Sequence, residues 1–307
     1  MAQLAFVFPG QGAQKPGMGK ALYEGSPAAR ALMDRAEALM PGILAACFEG
    51  PMERLTRTDT AQPALFLVEC ACAAAAGGLG LRAWGAAGFS LGEWSACHQA
   101  GIMGFEQAFS LVARRGLLMQ ACAEKHPGGM AAVLRMDAGA VEQALERHPG
   151  VWAVNFNAPD QTVVAGALPD LDRFEAALKA AGGRSLRLNV GGAFHSPLMR
   201  EAGDGLSRAL SGETLQAPSI PVYGNAGAEP YGAERAKELL SRQVTRPVRW
   251  TDTLRNMARD GFDAFLELGP GKVLSGLIAK TLPGAAVFQA EDMEGLTQAA
   301  EALGGGV

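Results

Sequence analysis

The chain of 307 residues lacks the features that mark metal-binding, nucleic-acid-binding and exported proteins. Its five cysteines show no C-x-x-C pair and no metal-ligand spacing, so we expect no metal site and interpret the thiols as reduced packing groups. A net charge of −4 gives no basic excess for a nucleic-acid backbone. The first residues carry neither a basic segment nor a long apolar one. We therefore expect no signal peptide and a cytoplasmic protein.

No uninterrupted hydrophobic run is long enough to suggest a membrane span. The most apolar window, residues 64–80, contains Glu69 and many alanines and glycines, which is typical of a buried helix. The chain is 49% hydrophobic and 19% charged, a balance that supplies an ample core. Its length suggests one large domain or two unequal ones.

One glycine-rich stretch carries the first catalytic signal. Gly88-Phe89-Ser90-Leu91-Gly92 follows an apolar run and precedes a segment with helical character. A G-x-S-x-G pattern between a strand and a helix predicts a nucleophile elbow, with Ser90 exposed on a strained turn. Because the chain has 40 glycines, an ordinary glycine-rich turn is the alternative.

Strands alternate with helices along most of the chain, which predicts an α/β fold with a parallel sheet. With the elbow, this large part is expected to be α/β-hydrolase-like. Residues 130–190 instead follow the order βαββαβ between two Gly-Gly pairs, which predicts an inserted ferredoxin-like unit. The expected domains are therefore 1–126 plus 192–307, and 127–191.

A predicted helix over residues 105–125 places Arg115 near the middle of its apolar face, whereas Arg114 falls on the polar side. A guanidinium that points into the core is costly unless it meets an anion. Arg115 is therefore either one partner of a structural ion pair or a carboxylate-binding group in an active site.

A nucleophilic serine needs a base, and the chain has only four histidines. His98 lies too far along the helix that follows Ser90, and His126 and His148 each precede Pro-Gly in expected exposed turns. Elimination favours His195, at the junction after the insert, although a lone histidine can be structural. No pattern marks an aspartate as a third member, so a Ser–His dyad oriented by a backbone carbonyl is possible.

Further motifs complete a resemblance to one family. The matching segments, in chain order, are residues 6–14, 62–64, 88–96, 115–116, 154–157, 194–199, 242–243, 247–250 and 269–274. With them the chain resembles the malonyl-CoA:acyl-carrier-protein transacylases and, more broadly, the acyltransferase domains of fatty-acid and polyketide synthases. The resemblance covers nearly the whole chain.

The resemblance implies a ping-pong transfer of malonyl from malonyl-CoA to the phosphopantetheine thiol of acyl carrier protein. It implies these roles: Ser90 as nucleophile, His195 as base and then acid, the N–H groups of Gln11 and Leu91 as oxyanion hole, the Gln243 carbonyl as orienter of His195, Arg115 as malonyl-carboxylate ligand, Phe194 as the residue that disfavours an α-methyl group, and Gln62 and Asn157 as site-lining residues. No cofactor is expected beyond the CoA thioester and the carrier's phosphopantetheine. The expected enzyme is a monomer without membrane or nucleic-acid partners.

The chain departs from the family pattern beside the nucleophile, with Phe89 where histidine is usual and Trp94 where tyrosine or a similar residue is usual. Two alternatives stay open from the sequence. An acyl hydrolase could clear acyl groups from carrier proteins, although Arg115 has no use for a neutral acyl group. A non-catalytic docking domain could also use this fold.

Overall fold

A computed structural model describes residues 3–304 of the chain. The strands are β1 Leu4–Phe8, β2 Gly85–Gly88, β3 Gly128–Leu134, β4 Val151–Ala158, β5 Gln161–Ala167, β6 Arg184–Arg187, β7 Val222–Tyr223, β8 Ala264–Leu268 and β9 Ala286–Ala290. The helices are α1 Lys20–Gly25, α2 Pro27–Leu39, α3 Ile43–Glu49, α4 Met52–Thr56, α5 Thr58–Gly78, α6 Gly92–Gln99, α7 Phe105–Lys125, α8 Ala138–Leu145, α9 Leu168–Ala180, α10 Arg200–Ser211, α11 Ala233–Arg242, α12 Trp250–Arg259, α13 Val273–Thr281 and α14 Met293–Ala302.

Five strands form a parallel sheet in the order β7-β2-β1-β8-β9. The central strand β1 is buried at every position, as expected for a strand covered by helices on both faces. Phe6 and Phe8 belong to the core that includes α5 and α7, whereas Ala5 and Val7 belong to the core that includes α12 and α13. The predicted parallel α/β sheet is confirmed.

Four strands form a separate antiparallel sheet in the order β4-β5-β3-β6. With α8 and α9 they follow the chain order βαββαβ, and the predicted ferredoxin-like unit is confirmed. Ala131 and Val133 pack against α9 residues in one core, and their neighbours Met130 and Ala132 belong to the main core. These strands lie within residues 128–187; the domain boundaries given above remain a prediction.

Helix α5 is the one helix among residues 3–304 that is long and apolar enough to cross a membrane by length and composition, but 83% of its most apolar window is buried inside the molecule. This burial agrees with the prediction of a core helix.

The sequence patterns did not indicate the short helices α1, α3 and α4, nor α14. Three of the four span only five to seven residues, too few to show a helical period. The helix α14 had a usable signal, since Asp292 caps it by accepting a hydrogen bond from the Gly295 N–H at 2.9 Å.

Candidate active site

Ser90, the predicted nucleophile, lies on a sharp turn between β2 and α6. Ser90 has a φ of 54°, in the left-handed region that non-glycine residues rarely adopt. A Cβ on Gly88 would overlap the backbone of Gly92, and a Cβ on Gly92 would overlap the carbonyl of Phe8. Only glycines therefore fit on either side of this turn, and the predicted strand–turn–helix order is present.

His195 contacts Ser90 directly. Its Nε2 lies 2.8 Å from Ser90 Oγ, and its Nδ1 lies 3.0 Å from the Gln243 carbonyl and 3.2 Å from that of Arg246. Two carbonyls at Nδ1 require the proton there, which leaves Nε2 free to accept from the serine. Within residues 3–304 no carboxylate lies within 4 Å of this imidazole, so the geometry is that of a dyad.

Burial, together with the nearby Arg115 cation, lowers the pKa of His195 to about 4. The imidazole is consequently neutral near pH 7, which is the state that can accept a proton.

Arg115 lies on α7 and is fully buried. Its guanidinium donates to Gln62 Oε1 at 2.7 Å, to Gln243 Oε1 at 2.8 Å and to Ser90 Oγ at 3.2 Å. No carboxylate within residues 3–304 forms an ion pair with it, and its Nε has no hydrogen-bond partner. Burial lowers the pKa of Arg115, Glu93 offsets part of this effect, and the resulting pKa is about 9. The structural ion pair considered from the sequence is therefore absent at this side chain.

The loop after β1 packs against the elbow, and this brings Gln11 beside Ser90. A Cβ on Gly10 would lie 2.7 Å from the Phe89 carbonyl, so glycine permits the close approach. In residues 3–304 the backbone N–H groups of Gln11 and Leu91 donate to no other group. They are available for an oxyanion near Ser90, as in the predicted pair.

Two cavities adjoin each other, and the inner one opens at the dyad. The inner one, about 70 Å³, is lined by Ser90, His195 and Phe194 together with Gln11, Phe89, Met119, Met130, Asn155, Leu188 and Val190. The outer one, about 240 Å³, shares Gln11, Phe89, Asn155 and Leu188 with it and adds Asn157. A wider groove of about 1160 Å³ between α8 and α12 contains none of the predicted site residues.

Gln62 does not line either cavity. Its amide nitrogen lies 3.4 Å from Gln11 Oε1 and 3.3 Å from Met119 Sδ, and its oxygen accepts from Arg115. The side chain therefore connects the loop after β1 to the buried arginine.

No sequence motif singled out Asn225 and Glu93 as the residues that support the elbow from behind. Asn225 Oδ1 accepts from the Ser90 N–H at 2.7 Å, and its Nδ2 donates to the Gly88 carbonyl at 2.6 Å. Glu93, 1% exposed, accepts from Gln243 Nε2 at 2.5 Å and from Tyr231 OH at 2.9 Å. The position of Asn225 just after β7, at the carboxyl end of a parallel strand, was a usable signal.

The other histidines lie apart from the dyad. His98 Nδ1 contacts the Met103 carbonyl at 3.1 Å, His126 contacts Glu201 at 3.3 Å, and His148 packs edge-on against Phe174. All five cysteines are buried and unpaired, which confirms their interpretation as packing groups. No three His, Cys, Asp or Glu side chains of residues 3–304 are grouped to hold a metal ion.

The chain is similar to known proteins of one family. The acyl transferase domain model matches residues 5–300. A malonyl CoA-acyl carrier protein transacylase of Bacillus subtilis is 39% identical over 288 residues, which is 91% of this chain and 90% of that protein. The transacylase structure of Clostridium perfringens superposes with a TM-score of 0.94 at 34% identity, covering 98% of this chain and 97% of that one.

A third relative was solved with a partner. This malonyl-transacylase, in complex with its holo type II polyketide-synthase acyl-carrier protein, has a TM-score of 0.94 and 35% identity, covering 98% of this chain and 100% of that chain. The resemblance drawn from the sequence motifs is confirmed.

Proposed function

The chain belongs to the acyl transferase domain family, and from that membership and the geometry of its site we infer that it is a malonyl-CoA:acyl-carrier-protein transacylase. It moves a malonyl group from malonyl-CoA to the phosphopantetheine thiol of acyl carrier protein, and so supplies fatty-acid or polyketide synthesis.

One observation supports malonyl as the acyl group. The Arg115 guanidinium lies 3.2 Å from Ser90 Oγ and forms no ion pair with any carboxylate of residues 3–304. In a malonyl ester of Ser90 the free carboxylate is separated from Oγ by only the carbonyl carbon and one methylene. The carboxylate can therefore reach the guanidinium, which presents a planar fork suited to bidentate binding.

In the first half-reaction Ser90 Oγ attacks the thioester carbonyl while His195 Nε2 takes its proton. The new C–O bond gives a tetrahedral oxyanion, which the N–H groups of Gln11 and Leu91 stabilise. The C–S bond then breaks, His195 returns the proton to the CoA sulfur, and malonyl-Ser90 remains.

The second half-reaction runs in reverse with a different thiol. His195 takes the proton of the carrier's phosphopantetheine thiol, and the sulfur attacks the malonyl ester. The intermediate collapses by breaking the bond to Ser90 Oγ, which recovers its proton from His195. Because malonyl-Ser90 is an ester that water could cleave, the confined inner cavity favours transfer over hydrolysis.

The outer cavity suits the pantetheine arm that both thiol substrates share. Its wall combines apolar side chains such as Leu188 and Leu277 with the amides of Asn155 and Asn157. The Oδ1 atoms of both asparagines are buried, and neither has a hydrogen-bond partner among residues 3–304. An arm that carries two amides within an aliphatic chain offers hydrogen-bond donors to such oxygens.

Phe194 sets a preference within dicarboxylic acyl groups. Its ring lines the inner cavity and is 5% exposed, so it occupies the space that an α-methyl group on the acyl chain needs. One methyl group gives about 1–3 kcal/mol of discrimination. Phe194→Ser should therefore raise methylmalonyl-CoA use relative to malonyl-CoA by roughly tenfold or more, measured as the ratio of kcat/KM values.

The enzyme works as a monomer in the cytoplasm, without nucleic acid or membrane, and needs no resident cofactor. Five buried thiols without a disulfide suit a reducing compartment. The acidic net charge of −4 suits a partner other than nucleic acid.

Intact-mass measurement tests the proposal. We expect malonyl-CoA to add one malonyl group, Ser90→Ala to abolish the adduct, and holo carrier protein to remove it with an equal gain in carrier mass. An adduct that disappears at the same rate without carrier would indicate a hydrolase. The absence of any adduct from malonyl-CoA, acetyl-CoA and methylmalonyl-CoA would contradict an acyltransferase.

A further inference from the structure

Two opposite charges are buried near each other behind the nucleophile without touching. The Arg115 guanidinium is fully buried, and among the described residues 3–304 it donates only to the neutral oxygens of Gln62, Gln243 and Ser90. A buried cation in this state is costly unless an anion stabilises it.

The nearest buried anion is Glu93, at the start of α6. Its carboxylate accepts from Gln243 Nε2 at 2.5 Å, from the Asn225 N–H at 3.1 Å and from Tyr231 OH at 2.9 Å. The first two groups can only donate, so the surroundings match an ionised carboxylate, which can only accept. Glu93 forms no ion pair with a cation of residues 3–304.

The side-chain amide of Gln243 separates these charges. Its oxygen accepts from Arg115 at 2.8 Å, and its nitrogen donates to Glu93. The opposite amide orientation would turn the nitrogen toward the guanidinium and the oxygen toward the carboxylate, and both contacts would be repulsive. The two charges together therefore fix one orientation of this amide.

We propose that Glu93 is the resident counter-ion of Arg115 and acts across the Gln243 amide. It stabilises the buried guanidinium without occupying it, so that the guanidinium can bind the carboxylate of an incoming acyl group. Glu93 is thus a positioning residue rather than a catalytic one. The proposal rests on the proposed function only in the use that it gives to Arg115.

This arrangement avoids two opposite difficulties. A carboxylate placed directly on Arg115 would have to be displaced, or would compete, whenever a malonyl group arrives. With no carboxylate nearby, the guanidinium would carry the full desolvation cost of a lone buried charge. A counter-ion behind an amide stabilises the cation and leaves its substrate-facing side free.

A double-mutant cycle on the full chain tests the coupling through thermal unfolding of Glu93→Gln, Arg115→Gln and the double variant. We expect Glu93→Gln alone to lower the midpoint by about 5–10 °C, and by less than half as much when Arg115 is already neutral. Glu267→Gln is the matched control, since Glu267 is fully buried and instead binds the N–H groups of Leu274 and Ser275. Glu267→Gln should lower the unfolding midpoint by the same amount whether or not Arg115 is replaced by glutamine.

An equal loss for Glu93→Gln in both backgrounds would overturn the proposal. If Glu93→Gln does not fold, recovery of a folded double variant supports the coupling, and an unfolded double variant overturns it. The readout is unfolding, so its outcome does not depend on whether the wild-type protein transfers malonyl groups, which the mass assay decides separately.

Discussion

Neutralising Arg115 should change which acyl group reacts, rather than stop the reaction. In Arg115→Gln the dyad contact of 2.8 Å between His195 Nε2 and Ser90 Oγ involves no altered atom, and the oxyanion donors are backbone groups. Acetyl-CoA, which has no second carboxylate, loses only the contact between Arg115 and Ser90 Oγ. Malonyl-CoA loses in addition the group that binds its charge.

The expected loss of activity toward malonyl-CoA can be worked out from the buried guanidinium of Arg115. A hydrogen bond to a charged group contributes about 1.5–3 kcal/mol, and truncating one partner of a buried charge pair costs about 2–5 kcal/mol. With a loss of about 3–4 kcal/mol and a factor of ten for each 1.4 kcal/mol, kcat/KM for malonyl-CoA should fall roughly 100- to 1,000-fold. The kcat/KM for acetyl-CoA should change far less, so the result is read from the ratio of the two kcat/KM values.

The assay is the rate of acyl-enzyme formation from each thioester, read by intact mass, with transfer to carrier protein as the second readout. Arg114→Gln is the control, because Arg114 is the neighbouring arginine of the same helix and is exposed. Its ratio of malonyl to acetyl use should match that of the wild type. An equal fall for both thioesters in Arg115→Gln would refute the assignment of Arg115 as the carboxylate ligand.

Three further changes test the elbow and the base. Gly92→Ala should lose at least about 3 kcal/mol of unfolding free energy in denaturant titrations, because its Cβ would overlap a backbone carbonyl. The control is Gly276→Ala, which has open space in α13 and should be neutral or stabilising. Equal losses in the two variants would contradict the steric argument. Asn225→Ala removes the hydrogen bonds of this side chain to the Ser90 N–H and the Gly88 carbonyl, so kcat should fall by the same factor for malonyl-CoA and acetyl-CoA. A changed ratio of the two kcat values would mean that Asn225 acts on acyl selection. His195, with its pKa lowered from 6.5 to about 4, should stay a competent base down to about pH 5. Between pH 6.5 and 4 the unfolded chain binds a proton that the folded one does not, so stability falls as pH falls through this range; an acid limb of malonylation at pH 6–7 would contradict the assignment.

Much of the fold followed from the sequence because its signals are local. Buried parallel strands read as short apolar runs, and β1 is one without a break. The insert was visible because its βαββαβ order differs from the surrounding α/β alternation. The short helices α1, α3 and α4 gave no such signal, since their packing rather than their own periodicity holds them.

The candidate site likewise has residues that local sequence patterns indicate and residues that they do not. Ser90 followed from a steric rule that operates within five residues, and Arg115 from its position on one helix face. Asn225 and Glu93 could not be found in this way, because they act across more than 130 residues of sequence. The residue type of Glu93 gave no warning either, since an acid in the first turn of a helix is usually solvated and favours the helix dipole.

The antiparallel unit is inserted between the segments that carry Arg115 and His195. Helix α7, which carries Arg115, ends three residues before β3 begins, and His195 follows eight residues after β6 ends. The unit supplies Met130, Asn155 and Leu188 to the cavity wall but neither member of the dyad. Changing these three side chains would therefore alter the wall of the cavity and leave Ser90, His195 and Arg115 in place.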